Sequence, residues 1–486
     1  MGRTGAAALT LLAALVAGCT FGSDKSPQVT VSTSASPPGT SASPPGTSAS
    51  PSGTTSASSR PSPSATSKPA TATTPDWPTY HGDLQRTGVS RTMPAASGHL
   101  TTTQIALYGQ VYASPIVVGG TVIVATEQNM VYGLSPTGEE RWSTRLESPT
   151  NRSELPCGNI DPLGITGTPV YDAASRTVFL VASIGARVRH DLIALDPTTG
   201  VIRWRRSVDL PGADPQAMQQ RGALTVLDGR VWVPFGGLAG DCGQYKGRLV
   251  GVPVGNGDPI SYTVPTTREA GIWTPPGATV LGDHLLVAAG NGESVGGTYD
   301  YSDSVLELAG ARLVDSFSPS SWAADNAADL DLGSQGPAVV GGKWIFIAGK
   351  SGTAYVLRVG KLGGIGGEHS RAELCRSFGG TAVAGDTVYV PCDDGIRAVR
   401  IDGAGRIAVR WHAGRLVTGS PVLGGGRLYA LDPGDGVLAA LDPASGQIRE
   451  QAGVGGVSRF ATPAISGARL FVPTLTGITI VDTTAR

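Results

Sequence analysis

Cysteine is the most reactive side chain in this sequence, and its spacing limits the chemistry open to it. Four of the five cysteines lie well inside the chain, at Cys157, Cys242, Cys375 and Cys392. No two stand in a CxxC or CxxCH spacing, so neither a tetrahedral zinc cluster nor c-type haem attachment is supported. An even number favours structural disulfides wherever the compartment is oxidising. The six histidines (His81, His99, His190, His284, His369 and His412) are scattered, with no HxH or HExxH pattern. Each reads as a packed or solvated residue. No GxSxG elbow or P-loop is present, and the glycine clusters at 255–257 and 363–367 read as turns because neither opens a helical pattern. The carboxylates of DNAADLD (325–331) lack the spacing and the glycine of an EF-hand, and read as a solvated loop.

What must position any site is a unit repeated eight times: an apolar run, a tight Gly/Asp turn and a second apolar run. The copies begin with IVVGGTVIVAT (116–126), VYDAASRTVFLVA (170–182), LTVLDGRVWVPF (224–235) and ATVLGDHLLVAA (278–289). They continue with AVVGGKWIFIA (338–348), AVAGDTVYVP (382–391), VLGGGRLYAL (422–431) and AISGARLFVP (464–473). Such pairs are β-hairpins, since glycine supplies the positive φ that primed turns need. Downstream of most hairpins a third run ends in a turn such as ALDPTTG (194–200) or ALDPASG (440–446), and Trp142, Trp204 and Trp411 mark outer strands that follow. The expected fold is therefore all-β, an eight-bladed β-propeller of four-stranded antiparallel blades. A seven-bladed ring with one decayed hairpin is the alternative. The last unit has only three strands, so an N-terminal strand within Thr101–Val111 is expected to close the ring and remove its free edges. On this layout Cys157 pairs with Cys242 between long loops of adjacent blades, and Cys375 pairs with Cys392 across the junction of blades five and six. Blades two to five carry the longer insertions, where function is expected.

Ahead of the propeller lie two segments of other kinds. Residues 1–18 combine Arg3 with an apolar run, Ala6–Ala17, too short to span a bilayer permanently. Val16-Ala17-Gly18-Cys19 resembles a bacterial lipobox, which implies cleavage before Cys19 and lipidation of its sulfur. Residues 19–75 are then a Ser/Thr/Pro-rich, disordered stalk with repeats of TSASPPG, and 76–486 form the propeller domain. The chain is expected to be exported and held by its lipid on the outer face of the bacterial cytoplasmic membrane, as a monomer. With 37 basic and 38 acidic residues and no basic run, nucleic acid is excluded as a partner.

The blade pattern SP…GxVYV…ALDPxTGxxxW and the lead-in WPTYHGDLQRTG (77–88) resemble the quinoprotein (PQQ-type) β-propeller superfamily. LAGDCGQY (238–245), DLDLGS (329–334) and LGGIGG (362–367) look like its actinobacterial PQQ-binding-like lipoproteins. That superfamily holds both PQQ dehydrogenases and propellers that bind no cofactor. For a dehydrogenase the resemblance implies Asn291, in Gly290-Asn291-Gly292, as a Ca²⁺ ligand, Asp303 as general base, and Lys350, in KSGTAYVL (350–357), on the quinone. Asp241, after Gly236-Gly237, stands loosely where a metal-binding Glu would. The chain departs from the dehydrogenases in having no Cys-Cys dipeptide.

The expectation drawn from these residues is a non-catalytic binding or scaffold module of the cell envelope. It would dock an envelope protein or glycan on its long-loop face through Trp273, Tyr299, Tyr301 and Trp322, touching the membrane only through its anchor. The alternative is a Ca²⁺/PQQ-dependent alcohol or sugar dehydrogenase using an external electron acceptor.

Overall fold

The structure, a computed structural model, describes residues 76–414 and 418–484. The expected signal segment, Cys19 and the stalk lie outside the described residues. No helix among those described is long and apolar enough to cross a membrane.

All eight expected blades are present, each a four-stranded antiparallel sheet at heart. Blade 1 is made of Ile116–Val118, Thr121–Ala125, Met130–Leu134 and Glu140–Arg145. The turn between its first two strands has positive φ at both Gly119 and Gly120 (53° and 74°), as a primed hairpin requires. Its inner strands are buried on both faces, whereas Glu140–Arg145 alternates exposed with half-buried, because only its inner face meets a neighbouring blade. Blade 8 is closed as expected: Thr101–Ala106 pairs antiparallel with Gly477–Asp482, from Thr101 opposite Asp482 to Ala106 opposite Gly477. Blade 3 gains a short extra strand, Met218–Gln219, on Gly236–Gly237. Blade 4 gains Gly364–Ile365, parallel to its outer strand.

The core is a relay of apolar layers between blades. Val178 and Leu180 pack with Ile116 and Ile123 of blade 1, Phe179 with Val231 and Val233 of blade 3, and so on round the ring. The relay closes where Phe471 of blade 8 and Tyr429 of blade 7 join Val122 and Val124. The DPxxG repeat serves this relay. Trp142 Nε1 donates to Pro197 O (3.2 Å) in the next blade's turn, and Trp411 Nε1 to Pro443 O (3.0 Å). Gly200 (φ 71°) has no room for a side chain, since a Cβ there would lie 2.3 Å from the Trp142 ring. The motif is thus an inter-blade latch.

The lead-in forms a hub across one end of the ring. Its backbone bonds to the middle residue of the innermost strand in five blades. Trp77 pairs with Val117, Pro78 O accepts from Tyr171 N, Leu84 O from Val280 N, Thr87 O from Val383 N and Gly88 O from Leu423 N. Blade 3 is held by a side chain instead: Arg86 donates to Leu224 O (3.0 Å) and Thr225 Oγ1 (2.7 Å). Both disulfides form between the expected partners, Cys157–Cys242 and Cys375–Cys392.

Candidate functional site

At the end of the ring away from the hub the channel opens into a cavity of about 300 Å³. A smaller space, about 10 Å³, shares Arg221 and Phe460 with it and reaches Tyr80 of the hub. The order along the axis is therefore hub, small space, mouth. Two recurrent positions of the unit feed the mouth. One is the second residue after the second strand: Asn291 after His284–Ala289 and Lys350 after Trp344–Ala348, with Glu127 at the same place after Thr121–Ala125. The other is the segment leading into an innermost strand, which supplies Arg221, Trp273, Asp331, Phe378, Arg459 and Phe460.

One wall is acidic and tightly bonded. Lys350 Nζ sits 2.5 Å from both Asp331 Oδ2 and Asp329 Oδ1. The Asn291 backbone N–H donates to Asp331 Oδ1 (2.5 Å) and its Nδ2 to Asp329 Oδ1 (2.7 Å). Gly290 is required here, because a Cβ would lie 2.3 Å from Asp331 Oδ1 and 2.9 Å from Trp273 Nε1. Burial pushes Asp331 above the usual carboxylate range and Lys350 opposes it. Burial would lower Lys350, but Asp331 outweighs that and raises it, so the ammonium stays charged.

The other wall carries two cations that feel opposite charge only at a distance, Arg221 from Glu127 and Arg459 from Asp393. Arg221 lies over the Phe460 ring (4.2 Å) and Arg459 over Phe378 (3.7 Å). Among the described residues neither guanidinium has a hydrogen bond or ion pair. Burial lowers Arg221 to about 10, which leaves it protonated at neutral pH. Phe460 also meets Trp273 edge-on, with centroids 6.0 Å apart. Guanidinium and aromatic faces together suit a flat anion, because the cation pairs with carboxylate while the rings stack.

Backbone strain gathers at the same end. Of eleven non-glycine residues with positive φ among the described residues, six lie in the mouth loops of blades 3–5: Asp241, Glu269, Ala270, Tyr301, Asp303 and Asp329. Such conformations cost about 1–3 kcal/mol each and cluster where function holds them.

The structure brings Asn291, Lys350 and Asp241 to one cavity. Asp303 does not line it. Asp303 is fully buried behind the wall, its Oδ1 accepting from Leu332 N (3.0 Å), and burial together with Asp331 raises it well above the usual range. The buried carboxylate on the cavity wall is Asp331, beside Asp329 and Asp241, and the sequence reading passed over Asp331 as part of a solvated loop. Arg221 and Arg459 were also missed; aligning the segments before each innermost strand would have shown them standing where the other units carry small or neutral residues.

A divalent cation would find Asn291 Oδ1 buried without a partner but would have to displace existing partners from the carboxylates. Asp331 and Asp329 are engaged by Lys350 and Asn291, and Asp241 Oδ1 accepts the Tyr245 hydroxyl. Among the described residues no group of three or more His, Cys, Asp or Glu side chains could hold a metal. The same cavity is lined by two guanidiniums, Arg221 and Arg459, and by the Trp273 ring, groups of the kind that hold a planar carboxylate.

The aromatic docking face needs correction. Trp322 is buried, and Tyr299 and Tyr301 are half-buried and packed on each other and on Trp322, with Tyr299 centroid distances of 4.7 and 5.5 Å. The three rings form a small loop core because their own stacking removes more apolar surface than exposure would leave. Trp273 instead belongs to the mouth.

With this geometry in place, the comparisons with known proteins can be read. The family model described as "Outer membrane protein assembly factor BamB" (PQQ_2) matches residues 88–326 and 309–485. The chain is 26% identical over 218 residues to the polyvinylalcohol dehydrogenase of Sphingopyxis sp. (strain 113P3), covering 40% of this chain and 31% of that protein. It therefore spans about a third of that relative's length. Among solved structures it is similar to the quinohemoprotein alcohol dehydrogenase from Comamonas testosteroni, with TM-score 0.65, 18% identity and coverage of 85% of this chain and 81% of the other. It is also similar to BamB from Moraxella catarrhalis, with TM-score 0.53, 18% identity and coverage of 79% and 97%. At 18% identity these likenesses are of fold alone.

Proposed function

Because the chain belongs to the PQQ_2 family of PQQ-type β-propellers, we infer that it is a binding module whose channel mouth takes a flat organic polyanion. The observation that carries this reading is the pair of unpartnered guanidiniums, Arg221 and Arg459, stacked on phenyl rings at the mouth of a channel whose far end the hub covers. A guanidinium that makes no protein hydrogen bond beside an open cavity gains charge-assisted hydrogen bonds when an anion arrives. The exported, lipid-anchored placement belongs to the same reading, and rests on the Val16–Cys19 pattern and on two disulfides that need an oxidising compartment. The partner expected on the long-loop face, an envelope protein or glycan, would be reached through these same loops.

Catalysis is the second reading, and one observation favours it: Asn291, Lys350 and Asp331 meet on one wall of the cavity. In that case Lys350 would bond the quinone oxygen and Asp331, in place of Asp303, would take the alcohol proton. Bound PQQ would supply the hydride acceptor.

The test uses the full-length protein titrated with PQQ, following quenching of tryptophan emission that Trp273→Phe should diminish, with dye-linked oxidation of an alcohol and aldose panel assayed in parallel. Quenching without turnover, unchanged by a calcium chelator, supports the binding module. Calcium-dependent turnover abolished by Asp331→Asn would establish the dehydrogenase instead. No quenching at tens of micromolar PQQ would remove both.

A further inference from the structure

A second cavity, of about 290 Å³, lies on the flank of blade 3, separated from the mouth by Tyr245, which lines both. It is walled by the segment entering the blade (Gly212, Ala213, Asp214, Met218), by Gln244 and Lys246, and by Arg248, Thr263 and Thr267. Neither Arg248 nor Lys246 forms an ion pair among the described residues. Arg248 commits one N–H, from Nη2 to Gly212 O (2.8 Å), and its Nε is buried with no partner at all. Burial lowers its affinity for its proton, with no neighbouring carboxylate to offset this. A guanidinium offers five donors, and one this poorly served in a half-buried wall is incomplete without an acceptor.

The rest of the lining is unlike the mouth. Its one aromatic ring is that of Tyr245; otherwise it offers hydroxyls (Thr263, Thr267), an amide (Gln244) and one carboxylate, Asp214, which makes no side-chain bond. Thr267 Oγ1 donates to Glu293 Oε2 (3.0 Å), so its oxygen is left as an acceptor. Two cations and one carboxylate give a single net positive charge, and the remaining groups are those that exchange hydrogen bonds with hydroxyls. We propose that this flank cavity is a separate binding site for one anionic sugar unit, its phosphate or carboxylate held by Arg248 and Lys246 and its hydroxyls by Asp214, Gln244 and Thr263. A phosphosugar and a uronate share this chemistry. Its charged residues are distinct from those of the mouth, and the two cavities share only Tyr245.

The experiment is calorimetric titration of the full-length protein with glucose 6-phosphate, glucuronate, glucose and inorganic phosphate, on wild type and on Lys246→Ala, Arg248→Gln and Arg221→Gln. The expected result is that at least one sugar anion binds roughly tenfold or more tightly than glucose or phosphate alone. Lys246→Ala and Arg248→Gln each weaken that binding by about tenfold or more, while Arg221→Gln leaves it unchanged. Whether phosphate or carboxylate is preferred identifies the source. Lys246 contributes no side-chain bond to the fold, so its variant keeps the test open if Arg248→Gln fails to fold. The proposal is overturned if no sugar anion binds by about 10 mM, if inorganic phosphate binds as well as the sugars, or if Lys246→Ala has no effect.

Discussion

The two ends of the channel use the same residue types to opposite ends. At the hub, Arg86 is 4% exposed and bonds Thr79 Oγ1, Tyr80 O, Leu224 O and Thr225 Oγ1. At the mouth, Arg221 and Arg459 lie over aromatic rings and make no hydrogen bond among the described residues. The hub aromatics are enclosed as well: Tyr80 stacks on His81 (4.3 Å), whose ring bonds Thr381 O and Thr462 Oγ1 (3.1 Å each). A cation whose two terminal nitrogens are held by four protein acceptors ties a fold together, although its Nε has no partner, whereas one with no protein acceptor beside a cavity is available to a ligand.

The comparison is broken most forcefully at the hub. Arg86→Met leaves Leu224 O and Thr225 Oγ1 without their donor in a dry site, and is expected to lower stability by about 3–5 kcal/mol, read by urea unfolding. A loss under about 1 kcal/mol would show that the hub is an accessory to the ring.

The next effect lies at the mouth end, where Glu127 is fully buried with Oε2 accepting from Gly164 N (2.7 Å) and Oε1 unpartnered. Burial lifts it from 4.5 to about 7. The folded state then holds this proton more tightly than the unfolded chain. Its contribution is full below pH 4.5 and is lost as pH rises to 7, a fall of about 3 kcal/mol. Glu127→Gln should flatten stability across that window; an unchanged slope would assign the effect elsewhere.

Replacing both mouth arginines, Arg221→Gln with Arg459→Gln, should weaken PQQ binding about 100-fold while changing stability by less than about 0.5 kcal/mol. The inverse pattern, intact binding with lost stability, would make these arginines structural like Arg86. Smallest is Lys350→Met, which strands Asp331 in the wall. Stability should fall by about 1–2 kcal/mol at pH 7 and recover in acid as Asp331 protonates, since its raised range rises further once Lys350 is gone.

The sequence made the fold legible because the ring is periodic. Turns such as Gly119-Gly120, the Trp142 latch and the closing strand near Thr101 all follow from local chemistry repeated along the chain. The disulfides followed from the blade order. The mouth was harder to read. Asn291 and Lys350 were found by pattern, yet their wall partners Asp331 and Asp329 sit in an irregular loop where acidic density alone suggested solvent. Arg221 and Arg459 are 238 positions apart in the chain and share no motif, so only the ring closure brings them to the same cavity. Trp322 misled for a physical reason: an aromatic residue in a long loop can bury itself on its own neighbours.

The most direct test of the account is calorimetric titration of PQQ into full-length wild type and into the Arg221→Gln, Arg459→Gln double variant, each in a calcium chelator. The account predicts saturable one-to-one binding by the wild type that the chelator does not weaken and that the double variant loses. Binding that needs calcium, or that survives removal of both arginines, would contradict it.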